Sequence, residues 1–243
     1  MGDVYPGSEL SLFATAHNWK RYVASQLAEF IGVRVLDVGA GLGSNVSYLY
    51  HPAVQEWICL EPDTEMARDL ATRIHGGELP PGCRAVMGGL GVLPSKPTFD
   101  TILYLDVLEH IDDDSAELRN AARLLERNGF LIVLAPAHPF LFSPFDAAIG
   151  HYRRYTRASL LAAAPPELRL RSCRMLDSVG FFASLANRLF LRSAIPTRRE
   201  IEIWDRMMVP LSRAVDPAIG FQFGKSVAAI WSLATAQLSP PVF

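Results

Sequence analysis

The stretch VLDVGAGLGSN, residues 35–45, places three glycines within five residues directly after an apolar run. The apolar run, residues 33–38, is typical of a short buried strand, and a helix is expected after the glycines. A strand-to-helix turn without Cβ atoms lets a cofactor lie against bare backbone and the helix N-terminus. The stretch therefore predicts a cofactor-binding turn built on Gly39, Gly41 and Gly43.

Apolar runs and helical patterns alternate through the first half of the chain. The strands predicted after the first one are residues 56–60, 84–87, 99–105 and 130–135. The clearest helix is residues 114–127, where Asp114 and Glu117 have capping-box spacing and Gly129 follows the predicted end. Strands that alternate with helices indicate an α/β fold with a parallel sheet covered on both faces.

Further helices are predicted at the N-terminus and in the second half of the chain. Residues 12–30 carry an apolar stripe at helical spacing. Residues 177–221 form a connection too long for a simple loop, and they predict two amphipathic helices, one reaching Leu189 and one bent at Pro210. We expect a single domain over residues 1–243. Its parts are an N-terminal helical cover, a cofactor-binding core, an acceptor-site loop with a helical insertion, and a last strand with its tail, at residues 1–31, 32–140, 141–220 and 221–243.

Composition limits the class of partner. The chain of 243 residues has a net charge of -2 and a pI near 6.3, so it lacks the basic field typical of nucleic-acid-binding proteins. Its three cysteines and six histidines show no metal-ligand spacing, so we expect no metal. The N-terminus lacks a secretion signal and no run of about 18 apolar residues could span a bilayer, which favours a cytoplasmic protein. Contact with a membrane surface and a homodimer stay open.

Two types of cofactor use a glycine turn of this kind. The dinucleotide fingerprint G-x-G-x-x-G, counted from Gly39, requires glycine or alanine where this chain has Ser44. It also usually has an apolar residue where this chain has Asp37. A nicotinamide oxidoreductase is therefore a rival hypothesis that fits these residues poorly.

The pattern D-x-G-x-G-x-G, residues 37–43, resembles the first motif of class I S-adenosylmethionine-dependent methyltransferases. FDTILYLDVLEHI, residues 99–111, resembles their fourth strand and methyl-transfer segment, and NGFLIVLAPAHP, residues 128–139, resembles their fifth strand. The resemblance covers residues 17–140 in the family's order. It implies a seven-stranded Rossmann-like sheet with helices on both faces and a helical insertion between the last two strands. It also implies S-adenosylmethionine as cofactor, with S-adenosylhomocysteine as product.

The resemblance assigns a cofactor site. Asp37 would help to hold the cofactor's ammonium, and the glycines would admit its methionine part. Glu61 lies 20 residues after Gly41 at the end of the second predicted strand, where a carboxylate can accept from both ribose hydroxyls; an ordinary surface-loop acid is the alternative. In MGGLGVLP, Gly89 stands where the family commonly has an aspartate that binds the adenine amine, so another acceptor is needed there. The implied cofactor-binding residues are Asp37, Gly39, Ala40, Gly41, Gly43, Glu61, Pro62, Gly89, Leu90, Leu105 and Asp106.

SPFDAAIGHYRRYT, residues 143–156, follows the fifth strand, whose carboxyl end faces the ligand crevice in open α/β sheets. This loop resembles that of a methyltransferase subgroup with a G-H-x-R-R-Y signature. His151 is the first candidate for a catalytic base that removes a proton from the acceptor. His110, which ends the methyl-transfer segment, is the second candidate, and a buried structural role is its alternative.

The same loop and the N-terminal helix offer groups for binding an acceptor. Two arginines of the loop could clamp a carboxylate or phosphate, and two tyrosines could flank a ring. In the alternative, the arginines cap helix carbonyls or pair with Asp146, and the aromatic side chains only pack. The three acids at residues 112–114 are better explained by helix capping than by a metal. The predicted substrate-binding residues are Tyr152, Arg153, Arg154, Tyr155, His17 and Trp19.

These features predict methyl transfer to a small-molecule acceptor, with oxygen as the first choice because a histidine base is available. The acceptor is predicted to be anionic or aromatic, such as a natural product or a sugar. Transfer to nitrogen or carbon, a lipid-linked saccharide acceptor, and transfer of the cofactor's aminocarboxypropyl group stay open. A rival of another class is a non-catalytic partner subunit that binds the cofactor.

Overall fold

A computed structural model describes residues 13, 15–186 and 197–233, and these residues contain one seven-stranded sheet. Its order is β3-β2-β1-β4-β5-β7-β6, with β1 to β5 parallel and β7 antiparallel to both of its neighbours. This sheet confirms the predicted architecture. The strands are β1 (Arg34–Val38), β2 (Glu56–Glu61), β3 (Cys83–Met87), β4 (Phe99–Leu105), β5 (Leu125–Pro136), β6 (Leu168–Leu176) and β7 (Ser226–Leu233).

Helices cover both faces of the sheet, and three of them lie in the insertion between β6 and β7. None of the described helices combines the length and the apolar character that crossing a bilayer requires. The helices are α1 (His17–Leu27), α2 (Val46–Leu49), α3 (Thr64–His75), α4 (Asp114–Leu124), α5 (Pro144–Ala148), α6 (Arg157–Ala163), α7 (Ser178–Ala186), α8 (Arg198–Ile203) and α9 (Val209–Ala218).

The core forms two apolar layers, one on each face of the sheet. Successive side chains of a strand point to opposite faces, so Leu36 of β1 joins one layer and Val35 joins the other. Strands buried on both faces need near-continuous apolar runs, which is why these segments could be found in the sequence. β1 lies between β2 and β4, so the strand order reverses there and opens a crevice at the carboxyl ends of the strands.

One boundary differs from the prediction. The helix predicted over residues 114–127 ends at Leu124, and β5 begins at Leu125, which pairs with Phe99 of β4. Asn128, at φ +65°, accompanies a bulge in this pairing. The cap is also shifted by one residue, because the side chain of Asp113 accepts the hydrogen bond from the backbone N–H of Ala116 at 2.8 Å.

Residues 198–218 of the insertion form one continuous, irregular helical run. α8 continues into a π-helical turn, Trp204–Met208, and then into α9. We predicted a bend at Pro210. This proline lies in the first turn of α9, and the irregular π turn comes just before it. A π turn adjusts the backbone hydrogen bonding where the proline offers no N–H. Leu189, predicted to end the preceding helix, lies outside the described residues.

Buried carboxylates join the insertion to the rest of the fold. Asp216 of α9 accepts hydrogen bonds from the hydroxyl of Tyr22 at 2.7 Å and from the backbone N–H groups of Asp177 and Ser178 at 2.8 and 3.1 Å. Asp205 accepts from the backbone N–H of Trp19 at 2.8 Å, at the start of α1. These bonds fix α1 and the insertion together above the sheet.

We therefore expect Asp216→Ala to lower the free energy of unfolding by about 3 kcal/mol, because three buried donors lose their acceptor. Urea denaturation followed by circular dichroism measures this change. Asp69→Ala, at an exposed position of α3, is the control and should change stability by less than about 0.5 kcal/mol. Equal losses in the two variants would contradict this account of how the insertion is held.

Candidate active site

A crevice of about 1560 Å³ lies at the carboxyl ends of the strands. Its floor is made by the glycine turn after β1 and by the ends of β2, β4 and β5. α1 and the insertion helices contribute residues to the other walls, and the loop after β5 closes one end. Both His17 and Trp19 of α1 line it. The loops that the sequence singled out therefore meet around one space.

The three glycines of the turn have different surroundings, although all have positive φ angles of 65°, 54° and 74°. Gly39, Ala40 and Gly41 line the crevice. A Cβ on Gly39 would lie 2.7 Å from Val107 Cγ2, and one on Gly43 would lie 2.7 Å from Leu70 Cδ1. Gly43 thus serves close packing against the core, and its role in admitting the cofactor stays a prediction.

Glu61 ends β2 with its carboxylate directed at the glycine turn. Its Oε2 accepts a hydrogen bond from Gly41 N at 2.7 Å, and its Oε1 accepts one from Asp63 N at 2.9 Å. The side chain is only 6% exposed but it lines the crevice. An ionised carboxylate has about four lone-pair sites, so about two remain for donors within the crevice.

Asp37 lies behind the turn. It is fully buried and accepts a hydrogen bond from Asn45 Nδ2 at 3.1 Å, and Asn45 is the residue that lines the crevice. Burial raises the pKa of Asp37 to about 7, against the opposing effect of the Asn45 hydrogen bond. The predicted direct contact of Asp37 with a cofactor ammonium is therefore corrected: Asp37 orients Asn45.

The predicted adenine-side residues differ in their surroundings. Leu90 is buried in one apolar layer of the core, and neither it nor Gly89, which precedes it, lines the crevice. Pro62 and Met66 line the crevice on this side. No sequence signal marked Met66, which the first turn of α3 brings to the wall. Leu105 and Asp106, at the end of β4, line the floor.

His151 lies at the closed end of the crevice and is held by Asp146. Its Nδ1 is 2.9 Å from Asp146 Oδ1, so Nδ1 donates to the carboxylate and Nε2 carries the lone pair. The ring of His110 meets the ring of His151 nearly at a right angle, with centroids 4.5 Å apart. Glu109 Oε1 lies 3.8 Å from His151 Nε2. Loops from the neighbouring strands β4 and β5 bring these groups together.

The charges of this cluster are arranged around Asp146. Burial alone would raise the pKa of Asp146, but hydrogen bonds from His151 and Arg154 outweigh it and hold the pKa well below its ordinary value. Arg154 donates to both oxygens of Asp146, at 2.8 and 3.0 Å. Burial, together with the neighbouring charge of Asp106, raises the pKa of Glu109. Burial and the adjacent His151 lower the pKa of His110 to about 4, so His110 is neutral at pH 7.

Among the other residues of the G-H-x-R-R-Y loop, Tyr152, Arg153 and Tyr155 do not line the crevice. Arg153 pairs with Asp114 at 3.0 Å, and the hydroxyl of Tyr155, 2% exposed, donates to Asp114 at 2.8 Å. Tyr152 is 58% exposed and lies outside the crevice wall. Arg153 and Tyr155 thus have an internal partner and Tyr152 is exposed, and acceptor binding by these three residues stays a prediction. Arg154 lines the crevice, but its charge is paired with Asp146, as the alternative interpretation proposed.

Sequence reasoning missed two polar residues of the wall. The hydroxyl of Tyr48 lies 2.6 Å from His17 Nδ1, which joins α2 to α1 across the crevice. Lys225, which precedes β7, lines the crevice with its Nζ 5.0 Å from the centre of the Trp204 ring. Burial lowers the pKa of Lys225. Neither residue belongs to a recognisable motif, so no sequence signal could have found them.

Residues 36–133 match the family described as a methyltransferase domain. The match spans the glycine turn, Glu61 and the Glu109–His110 pair, and it ends before the loop that carries His151. The matched segment thus accounts for one side of the crevice, and the other side is built by residues outside it.

Curated relatives carry the same domain. The chain is 31% identical over 166 residues to a demethylmenaquinone methyltransferase of Tropheryma whipplei strain Twist, and equally to that of strain TW08/27. The similarity covers 64% of this chain and 64% of each relative. The chain therefore spans 64% of the length of the relatives that it matches.

Solved structures share the fold of this methyltransferase domain. Geranyl diphosphate methyltransferase in complex with S-adenosylmethionine superposes with a TM-score of 0.65 at 16% identity, over 96% of this chain and 93% of the other. The [4+2]-cyclase SpnF superposes with a TM-score of 0.62 at 15% identity, over 95% and 96%. Because a cyclase has this fold as well, the fold alone does not decide the reaction.

The residues of the crevice fit S-adenosylmethionine, the cofactor that the sequence resemblance implies. Glu61 has free lone pairs facing the crevice and would hold the ribose diol. The bare backbone at Gly39 and Gly41 would admit the aminoacyl end, beside Asn45. A dinucleotide would instead need a pyrophosphate site, and the acids Asp37 and Glu61 beside this turn disfavour one.

Proposed function

We propose that this chain transfers a methyl group from S-adenosylmethionine to an oxygen atom of a small-molecule acceptor. The observation that carries the proposal is the placement of His151, oriented by Asp146, in the same crevice as the glycine turn and Glu61. A donor site and a proton acceptor in one enclosed space are what methylation of a hydroxyl requires.

The cofactor supplies an electrophilic methyl group, so the protein's part is alignment, exclusion of water and proton removal. Glu61 and the glycine turn fix the cofactor's orientation. His151 Nε2 accepts the proton of the acceptor hydroxyl as the methyl group is transferred. Asp146 keeps Nδ1 protonated and stabilises the imidazolium that results. Trp19 and Ile203 line the crevice beside this space and keep water out.

The G-H-x-R-R-Y loop does not offer a free charge for an anionic acceptor. Arg154 is the loop arginine that faces the crevice, and Asp146 already neutralises it. The volume of about 1560 Å³ exceeds the roughly 300 to 1,000 Å³ of ordinary ligand pockets, which leaves room for an acceptor beside the cofactor.

An acceptor with an apolar tail is the second candidate. Phe182, Met207 and Leu211, on the insertion helices, are 60%, 69% and 53% exposed. Apolar side chains of this kind suit a long hydrocarbon tail or contact with a membrane surface. The name of the curated relative, demethylmenaquinone methyltransferase, agrees with such an acceptor, and it keeps methylation at carbon as an alternative to oxygen. A cytoplasmic location and a homodimer stay predictions.

We expect the purified chain to bind S-adenosylhomocysteine with a Kd of about 1–100 µM. Isothermal titration calorimetry measures this affinity, and titration with NADH is the control, for which no heat is expected. Methyl transfer is then tested with S-adenosylmethionine labelled in its methyl group against phenols, quinols, sugars and carboxylic acids. No binding of S-adenosylhomocysteine would refute the proposal. Binding without turnover on any acceptor would favour the non-catalytic partner subunit.

A further inference from the structure

We propose that Glu109, His110 and His151 bind one divalent transition-metal ion, zinc being the best match, at the closed end of the crevice. All three side chains line the crevice. Each offers one ligand atom, and these atoms lie within 4.8 Å of one another. The inference rests on the proposed function for the crevice and its acceptor, and it replaces one step: with the ion bound, His151 Nε2 would be a ligand and would not accept the acceptor's proton.

The spacing is close to that of a bound ion. Ligand atoms about 2.1 Å from a tetrahedral zinc lie about 3.4 Å apart. Glu109 Oε1 and His151 Nε2 are already 3.8 Å apart. The ligand atom of His110 lies within 4.8 Å of both. Two imidazoles and one carboxylate are a ligand set that suits zinc, and three protein ligands leave a fourth position open to the crevice.

A second observation points independently to a ligand here. Glu109 is 1% exposed, and its Oε2 has no hydrogen-bond partner among the described residues. A buried carboxylate oxygen without a partner destabilises the fold unless something satisfies it. A cation between Glu109 and the two histidines would do so.

The surroundings of the cluster agree with metal binding. Asp146 accepts the hydrogen bond from His151 Nδ1, which fixes the ring with Nε2 towards Glu109. A carboxylate behind a metal-ligating histidine is the usual arrangement around protein-bound zinc. The nearest arginine, Arg154, donates to both oxygens of Asp146, so its charge is compensated.

A metal at this position would define the acceptor class. The open coordination position would take an acceptor oxygen, and the charge of the ion would favour its deprotonated form. Phenols and other acceptors with an ionisable oxygen fit this requirement. His151 would then be a metal ligand, and turnover would be sensitive to chelators. With His151 as the proton acceptor and no metal, turnover would be resistant to chelators.

The test uses the full chain, free of any tag and treated with a chelator. Zinc is titrated in competition with a chromophoric chelator, and cobalt is added separately to record the visible spectrum of a tetrahedral site. We expect one equivalent of zinc with a Kd below about 1 µM. Glu109→Gln and His110→Ala should each weaken zinc binding about 100-fold and remove the cobalt spectrum. His75→Ala, at a histidine on α3 whose Nδ1 lies 2.7 Å from the Ala71 carbonyl, should leave both unchanged.

S-adenosylhomocysteine binding is measured on the same samples. Retained affinity for it shows that a variant is folded, and the isosteric Glu109→Gln decides the matter if His110→Ala does not fold. No stoichiometric zinc binding, or zinc binding that survives Glu109→Gln, overturns the metal site. Wild-type protein that binds S-adenosylhomocysteine but not zinc loses only this inference, whereas failure to bind S-adenosylhomocysteine refutes the proposed function.

Discussion

Gly41→Arg is expected to abolish binding of S-adenosylhomocysteine, with a loss of at least about 100-fold in affinity. Gly41 lines the crevice at φ +54°, and its N–H donates to Glu61 at 2.7 Å. A side chain at positive φ costs about 1–2 kcal/mol, and the arginine would also extend from the turn beside Glu61. Both the backbone and the ribose-binding carboxylate would be displaced. Isothermal titration calorimetry on the variant and the wild type measures the effect.

Gly77→Arg is the matched control. Gly77 also has a positive φ, +74°, but it lies in an exposed loop and a Cβ there would meet no atom within 4 Å. The same substitution at a similar backbone conformation thus separates strain from obstruction of the crevice. We expect Gly77→Arg to lower stability slightly and to leave the affinity for S-adenosylhomocysteine unchanged. Undiminished binding by Gly41→Arg would show that the glycine turn is not the cofactor site.

The sequence predicted the sheet well because its signals are local. Runs such as residues 99–105 are apolar at nearly every buried position, Thr101 being the exception, and the structure has a strand at those residues. The end of α4, in contrast, is set by a contact between residues that are distant in the sequence. Leu125 leaves the helix because it pairs with Phe99, a residue 26 positions earlier in the chain. The helical pattern of residues 114–127 does not indicate that pairing.

A residue of the candidate site could be placed from the sequence where its type and position indicate a single partner. Glu61 at the end of β2 lies beside Gly41, as the spacing implied. Arg153 and Tyr155, which we predicted to bind the acceptor, share Asp114 as a partner, about 40 residues away at the start of α4. The arginine and tyrosine chemistry suits an acceptor and an internal carboxylate equally well. Only the folded chain distinguishes these two partners.

His151→Ala is expected to lower turnover by about 10²–10⁴-fold and to change the affinity for S-adenosylhomocysteine by less than about threefold. His151 lines the crevice on the side of the loop after β5, while Glu61 and the glycine turn, which we propose to contact the cofactor, lie at the floor. Removing the imidazole removes the proton acceptor and leaves those contacts in place. Single-turnover methyl transfer to an acceptor that the wild type methylates gives the rate, and calorimetry gives the affinity.

Two companion variants make this result specific to the imidazole. Tyr152→Ala alters the next residue of the same loop, which is exposed outside the crevice, so we expect turnover close to that of the wild type. Asp146→Asn removes the charge that stabilises the imidazolium and should give an intermediate loss of turnover. If His151→Ala turned over as fast as Tyr152→Ala, neither proton removal nor metal ligation by His151 could be part of the reaction. The crevice would then act on the acceptor through alignment alone.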